Sequence, residues 1–505
     1  VVKYIAKGQP HERYEPFFAF HGFRYVKIES PHIALFPENF QGWAIYSQMP
    51  IKSLFECSNS LLNRFHQNVT WSQRSNFVEI PTDCPHREKM GWTGDIQIYT
   101  PTAGLNMQIG GFITKWLLDL ASEQRLDGAI PPVVPEATYK DQPWFVRSGT
   151  AGWSDAGILV PWALYLLNGD TNILQKLYPV MQKWHAYVEK RAKNFIWRKG
   201  FQWGDWLEVG RGFVKSAIFT KNDWVATAYF AHITLVLSRI AELLGYSEDA
   251  VRLQELRQKI EHAYQDRFID ENGKHHPHKQ GAYILGLQLG LFPEHLQSQA
   301  LENLLNLLYE KNDHLATGFL STPYFLEVLS QNGALDEAYR LLLQETYPSW
   351  LYEVKMGATT IWETWNAIKP DHTVIRMSQN HYAFGAVDRW LFNTIAGIAA
   401  SSPGFKTIRI NPRPGGGISW CKSQVTSLYG EIRSEWHLES GGLDVQVTIP
   451  PNSTAEIVIP KTTLIDQKQW QTLFLNHEEI IEVKPGEKEL LLIVGSGEYH
   501  LFIPL

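Results

Sequence analysis

Two stretches of this chain concentrate side chains that could do chemistry. The first, PTDCPHREKMGWTGD (residues 81–95), sets Asp83, Glu88 and Asp95 five and seven residues apart, with His86, Arg87 and Trp92 between them. Pro81 and Pro85 stiffen this segment and Gly91 and Gly94 free it, which is the make-up of a shaped loop. The second, GATTIWETWN (residues 357–366), carries Glu363 between Trp362 and Trp365. Cleaving a glycosidic bond takes a protonated carboxyl beside the leaving oxygen and a second carboxylate that activates water or attacks the anomeric carbon. Clustered acids raise the pKa of one member by repulsion, while an arginine holds another ionised. Each cluster also has a plainer reading. The first could be a loop held by salt bridges, with Asp95 capping the next helix, and the second a buried Glu paired with an arginine or a backbone donor. Trp153 and Asp155 in AGWSDA, Asp205 and Trp206 in QWGDWLEVG, and His381 in SQNHYAFGAVDRW are lesser candidates, each ambiguous alone.

These clusters need a frame. From about Leu54 apolar residues recur at three-to-four spacing, predicting helices near 54–69, 95–105, 108–123, 155–168, 171–192, 223–244, 247–268, 277–290, 294–309, 319–331, 335–345 and 380–398. Asp155 and Asn222 stand where N-caps would. About twelve helices make six hairpins, which can close into a double-layered toroid. Long loops interrupt them at 70–94, 125–153, 194–222 and 346–378, and loops of such length in a compact domain usually carry function. Trp71, Trp92, Trp144, Trp153, Trp197, Trp203, Trp206, Trp350, Trp362 and Trp365 fall in these loops. The two acidic clusters would meet at the toroid mouth, on opposite faces of a sugar.

The flanks read as β structure. FFAFHGFRYVKIE and WAIYSQ alternate apolar and polar positions, the end of a β domain. Past Ala400, TIRINP, QVTSLYGEIRSEWHL, GLDVQVTIP and AEIVIP, separated by turn signals, describe a β-sandwich. The organisation expected is mainly α: the remnant of an N-terminal β domain at 1–52, an (α/α)6 toroid at 53–399 and a C-terminal sandwich at 400–505.

Composition narrows the function classes. A net charge of −6 with no basic stripe argues against nucleic acid as partner. Trp, Tyr and Phe number 19, 21 and 25, and their rings suit the C–H faces of sugars. Three separated cysteines, Cys57, Cys84 and Cys421, imply neither a disulfide framework nor a zinc site, and His86, His381 and the acids lack metal-ligand spacing. No apolar run reaches the roughly 18 residues that span a bilayer. The start, VVKYIAKGQP, has neither Met nor a signal pattern, so an internal slice of a longer protein is expected, cytoplasmic or periplasmic.

DCPHREKMGWTGD resembles the family 78 glycoside hydrolases, the bacterial α-L-rhamnosidases. HGFRY (21–25), GDW (204–206), GATTIWETW (357–365) and NHYAFGAV (380–387) match in order, and GFKTIRINPRP resembles the family's exit from the toroid. The resemblance implies inverting hydrolysis of terminal, non-reducing α-L-rhamnosyl residues without a metal or cofactor. Glu88 would correspond to the general acid and Glu363 to the general base. Asp83, Arg87, Trp92 and Asp95 would hold the sugar hydroxyls and tune the acid, and Trp153, Trp206 and His381 would complete the pocket. For inversion the carboxyl groups should stand roughly 6.5–9.5 Å apart, against about 5–5.5 Å for retention. Rival readings are another glycosidase on the same toroid, a polysaccharide lyase using Tyr382 beside His381, and a sugar-binding protein without turnover.

Overall fold

The computed structural model describes residues 2–30, 33–136, 148–209, 222–460, 480–486 and 489–504. A first strand, β1 (Ser53–Cys57), precedes helix α1 (Ser60–Asn76), whose N-cap Asn59 accepts from the amides of Leu61 and Leu62. Helices α2 (Thr93–Asn106), α3 (Gly110–Glu123), α4 (Ala156–Asn168) and α5 (Asn172–Glu189) follow. After a short ribbon, β2 (Ala192–Lys193) and β3 (Ile196–Trp197), come α6 (Asp223–Leu243), α7 (Ser247–Phe268), α8 (Gln280–Gln288), α9 (Gln297–Tyr309), α10 (Phe325–Gln331), α11 (Leu335–Leu342) and α12 (Trp350–Lys355).

Burial sorts these helices into two rings. In α1, α3, α5, α7, α9 and α11 one stripe is buried, as amphipathic outer helices require. In α2, α4, α6, α8 and α10 most residues are buried on every side. Contacts pass from α2 to α4, α6, α8 and α10, then through the 3-10 turn Thr322–Tyr324 to a 3-10 run at Ala383–Asp388, and back to α2. The inner ring is thereby closed, and the molecule is an (α/α)6 toroid. Helix α6 is apolar and long enough to cross a bilayer, the one such helix among the described residues, yet it lies inside this ring.

Several expectations need correction. Residues 54–57 are strand, not helix, and α1 runs on to Asn76, so Trp71 lies on a helix. Of the segment 380–398 only 383–395 is helical, chiefly the 3-10 run and a π-helical turn, Leu391–Ile395, and Ile398 already begins the next strand. Asp155 and Asn222 stand at N-cap positions and cap nothing, because buried loop groups take their hydrogen bonds. Residues 2–30 and 33–50 contain no strand among the described residues. Alternation marks a strand only where a neighbouring strand can pair with it, and here alternate apolar residues such as Phe17, Phe23 and Tyr25 remain exposed. Trp144 lies outside the described residues.

The C-terminal strands are β4 (Ile398–Ala400), β5 (Thr407–Ile410), β6 (Trp420–Ser427), β7 (Gly430–Glu439), β8 (Gly442–Ile449), β9 (Thr454–Pro460), β10 (Ile480–Pro485), β11 (Glu489–Val494) and β12 (Gly497–Pro504). They form two sheets, β1-β6-β7-β8-β12 and β10-β11-β9-β5-β4. The strand before the toroid thus becomes the edge of a sheet made far downstream. Trp436, on β7, donates its N–H to Ile395 O, tying this sheet to the end of the inner ring.

Candidate active site

The loop between α1 and α2 is shaped from its base. Asn76, ending α1, accepts both the amide and the hydroxyl of Thr82. Asp83 then closes residues 84–89 into a protruding turn, because its amide donates to Met90 O and its carboxylate accepts from Met90 N, both at 2.9 Å. Gly94 is required behind the turn: a Cβ there would stand 2.6 Å from the Trp153 ring. Lys89 Nζ reaches Phe20 O at 2.6 Å, and Arg24 Nη1 reaches Gly357 O at 3.1 Å, so the segment 20–24, which overlaps HGFRY, touches both acidic loops.

Glu88, carried on this turn, accepts from Trp92 Nε1 at 2.8 Å and from Arg87 Nη2 at 2.8 Å. The same Arg87 nitrogen reaches Glu363 Oε1 and Oε2 at 2.6 and 2.7 Å. Glu363 is buried, its amide donates to Ser378 O, and its carboxylate accepts from Ser378 N at 2.9 Å. Two clusters 275 positions apart therefore meet on one guanidinium. Two oxygens bonded to one nitrogen stand closer than the about 6.5 Å expected for inversion, and Arg87 fills the gap between the carboxylates.

Charge settles unevenly here. Burial is the largest influence on Glu88 and raises its pKa, against the opposing Arg87 charge and Trp92 hydrogen bond. Asp83 is pushed up to about 7, chiefly by burial, with the Glu88 charge adding and His381 opposing. Burial would lower His381, but Asp95 Oδ1 at 3.0 Å from its Nε2, together with Glu363 and Asp83, lifts it to about 9. His381 Nδ1 accepts from the Ala383 amide at 3.4 Å, which leaves Nε2 as the nitrogen that faces Asp95.

These groups open into a cavity of about 370 Å³ lined by Asp83, Glu88, Asp95, Glu363 and His381 on one side and by Met90, Trp92, Trp153, Trp203, Trp206 and Phe319 on the other. Carboxylates with a cation against a wall of rings suit a hydroxylated, uncharged ring that offers C–H faces. Two buried aspartates hold the wall. Asp205 accepts from the amides of Gly318, Leu320 and Ser321 and from the Ser321 hydroxyl, clamping the Trp206 turn to Phe319. Asp155 accepts from Gly152 N and Trp184 Nε1 beneath Trp153.

Of the residues singled out by sequence, Glu88, Glu363, Asp83, Trp92, Asp95, Trp153, Trp206 and His381 all line this cavity, and Arg87 stands at its edge between the two glutamates. Asp155 and Asp205 act beneath it. Met90 and Phe319 were not expected, and Trp203 was named only as one of the loop tryptophans. Trp203 could have been found from its place beside GDW; Phe319 gave no signal, since a helix was predicted over it. Of the other described tryptophans expected in loops, Trp197, Trp350, Trp362 and Trp365 are buried, with Trp197 on β3 and Trp350 opening α12, and Trp71 is exposed on α1. Tyr382 is fully buried against Phe77 and Tyr99 and does not line the cavity, so the Tyr/His pair of a lyase is not assembled there.

Residues 50–395 match the bacterial alpha-L-rhamnosidase 6 hairpin glycosidase domain. The chain belongs to this family. Its rhamnosidase-type concanavalin-like domain matches over 1–46 and its rhamnosidase C-terminal domain over 397–473. An α-L-rhamnosidase of Streptomyces avermitilis is 41% identical over 461 residues, covering 90% of this chain and 43% of that protein. One from Formosa agariphila is 34% identical over 505 residues, covering 98% and 54%. The crystal structure of the Streptomyces avermitilis α-L-rhamnosidase complexed with L-rhamnose superposes with a TM-score of 0.82 at 38% identity, covering 91% of this chain and 43% of that one. The chain spans about half the length of the curated rhamnosidases it matches.

Proposed function

We propose that this chain is the catalytic unit of an α-L-rhamnosidase that releases terminal, non-reducing α-L-rhamnosyl residues with inversion. The observation that carries the glycosidase reading is the meeting of Glu88 and Glu363, paired through Arg87, in the lining of a cavity rich in aromatic rings. Glu88, with its raised pKa, is the general acid that protonates the leaving oxygen. Glu363, pinned by Ser378, is the base that takes a proton from the attacking water. Asp83, Asp95 and His381 bind the sugar hydroxyls, and Trp92, Trp153 and Trp206 pack on its C–H faces. In this reading the chemistry belongs to residues 53–399, while the sandwich at 400–505 supports the toroid. The L-rhamnose bound in the Streptomyces relative supports the choice of sugar.

Inversion needs a water between Glu363 and the anomeric carbon, so the sugar must displace the Arg87 guanidinium from Glu88 when it binds. The shared nitrogen favours one competing reading, a retaining double displacement with Glu363 as nucleophile. Hydrolysis of p-nitrophenyl α-L-rhamnopyranoside followed by NMR separates the two. First release of β-L-rhamnose supports inversion, first release of the α anomer establishes retention, and preference for another aryl glycoside overturns the sugar assignment.

A further inference from the structure

We propose that Cys57 and Cys421 form a cross-strand disulfide that staples the strand leading into the toroid to the C-terminal sandwich. The two residues are direct partners in the antiparallel pairing of β1 with β6. In such a ladder, opposite pairs alternate between hydrogen-bonded and non-hydrogen-bonded. Ser58 donates to Trp420 O, and Thr426 donates to Lys52 O, which makes 58/420 and 52/426 the hydrogen-bonded pairs and leaves 57/421 non-hydrogen-bonded. In that class the Cα atoms stand about 4.5 Å apart with the side chains at their closest, inside the roughly 4.4–6.8 Å range a disulfide spans. Both residues belong to the alternate buried set of their strands, so both thiols lie on one face and neither points to solvent. Nothing in the linear sequence brings them together, because the whole toroid separates them.

Both thiols are free here and shut from solvent. Exchange therefore takes place as the chain folds, before β1, an edge strand, docks on β6. The oxidant is a low-molecular-weight disulfide such as oxidised glutathione. One cysteine thiolate attacks it and expels a thiolate, and the second cysteine displaces the remaining glutathione thiolate. Two protons and two electrons leave the protein, and one oxidant disulfide becomes two thiols. Cys84, buried behind the catalytic turn and accepting from Glu88 N, has no such partner and stays reduced.

The test refolds the purified chain from denaturant in an oxidised/reduced glutathione buffer, quenches exchange with acid, alkylates every remaining thiol with iodoacetamide in denaturant and maps the peptides without reduction. The expected result is a peptide pair joined through Cys57 and Cys421, a carbamidomethyl group on Cys84 alone, and a thermal midpoint about 5 °C above that of the dithiothreitol-treated protein. Cys57→Ser and Cys421→Ser should each abolish the joined peptide and the redox-dependent rise. Recovery of Cys57 and Cys421 only as alkylated or glutathionylated species overturns the bond, and equal midpoints in the two redox states overturn its role as a staple. The wild-type peptide map decides the question even where a variant fails to fold.

Discussion

Glu88 and Glu363 share a guanidinium but little else. Glu88 is held by side chains only, Trp92 and Arg87, on a turn that includes Lys89 at φ 55°, and it is partly open to the cavity. Glu363 is held by a backbone amide and its own chain is bonded to the same residue, Ser378, so it is fixed in place and almost wholly buried. A carboxyl held through side chains alone, made more basic by burial, can carry a proton and turn toward a departing oxygen. One anchored by the backbone can hold a water in a fixed direction. The contrast teaches that two identical side chains become chemically unlike through how they are tethered, which is what the proposed acid and base roles require.

The largest effect expected is on turnover. Glu88→Gln and Glu363→Gln should each lower kcat by about 10³-fold or more without unfolding the protein. They should separate on leaving group: an activated aryl rhamnoside needs little protonation, so it should recover much of the loss in Glu88→Gln and almost none in Glu363→Gln. Equal losses on activated and unactivated substrates would break the assignment. Next in size, Arg87→Ala should lower kcat by roughly 10–100-fold. Since Arg87 holds the Glu88 pKa down, its loss should move the alkaline limb of the pH–rate profile upward; an unmoved limb would mean that a different group is the acid.

Trp206→Ala should raise KM about tenfold, in keeping with about 1–1.5 kcal/mol for a ring contact, with a smaller fall in kcat. A change confined to kcat would remove Trp206 from the sugar wall. The smallest effect expected is on stability. Asp83 has a folded pKa near 7, above its ordinary value of 3.8, so its contribution is fully present below about pH 4 and is lost as pH rises through 7. Asp83→Asn keeps an acceptor for Met90 N and cannot ionise, so its midpoint should gain on the wild type at pH 8 relative to pH 5. The same offset at both pH values would show that Asp83 is not a strained buried acid.

Much of this molecule was legible in its residues. Apolar periodicity carried eleven of the helical segments, because a helix that must bury one stripe or all sides records that in local spacing. The acidic clusters could be picked out because carboxylates crowd there among prolines, glycines and tryptophans, although a loop held by salt bridges or a buried, paired Glu would leave a similar local pattern. Strands depend on their neighbours: the alternation at 17–29 and at 420–449 looks alike, and the first lies in the stretch that matches the concanavalin-like domain, yet among the described residues only the second is paired into sheet.

The sequence by itself determined the ring of helices, the catalytic candidates and the aromatic richness of the loops, all of them matters of local pattern. Only the tertiary structure decided that Arg87 lies between the two glutamates, that Trp203 and Phe319 line the cavity while Trp350, Trp362 and Trp365 are buried away from it, and that Cys57 stands opposite Cys421. The physical reason is common to all three. Each is a meeting of residues brought together by closure of the toroid, and the direction of a side chain at such a meeting is set by packing from distant segments, which no local spacing encodes.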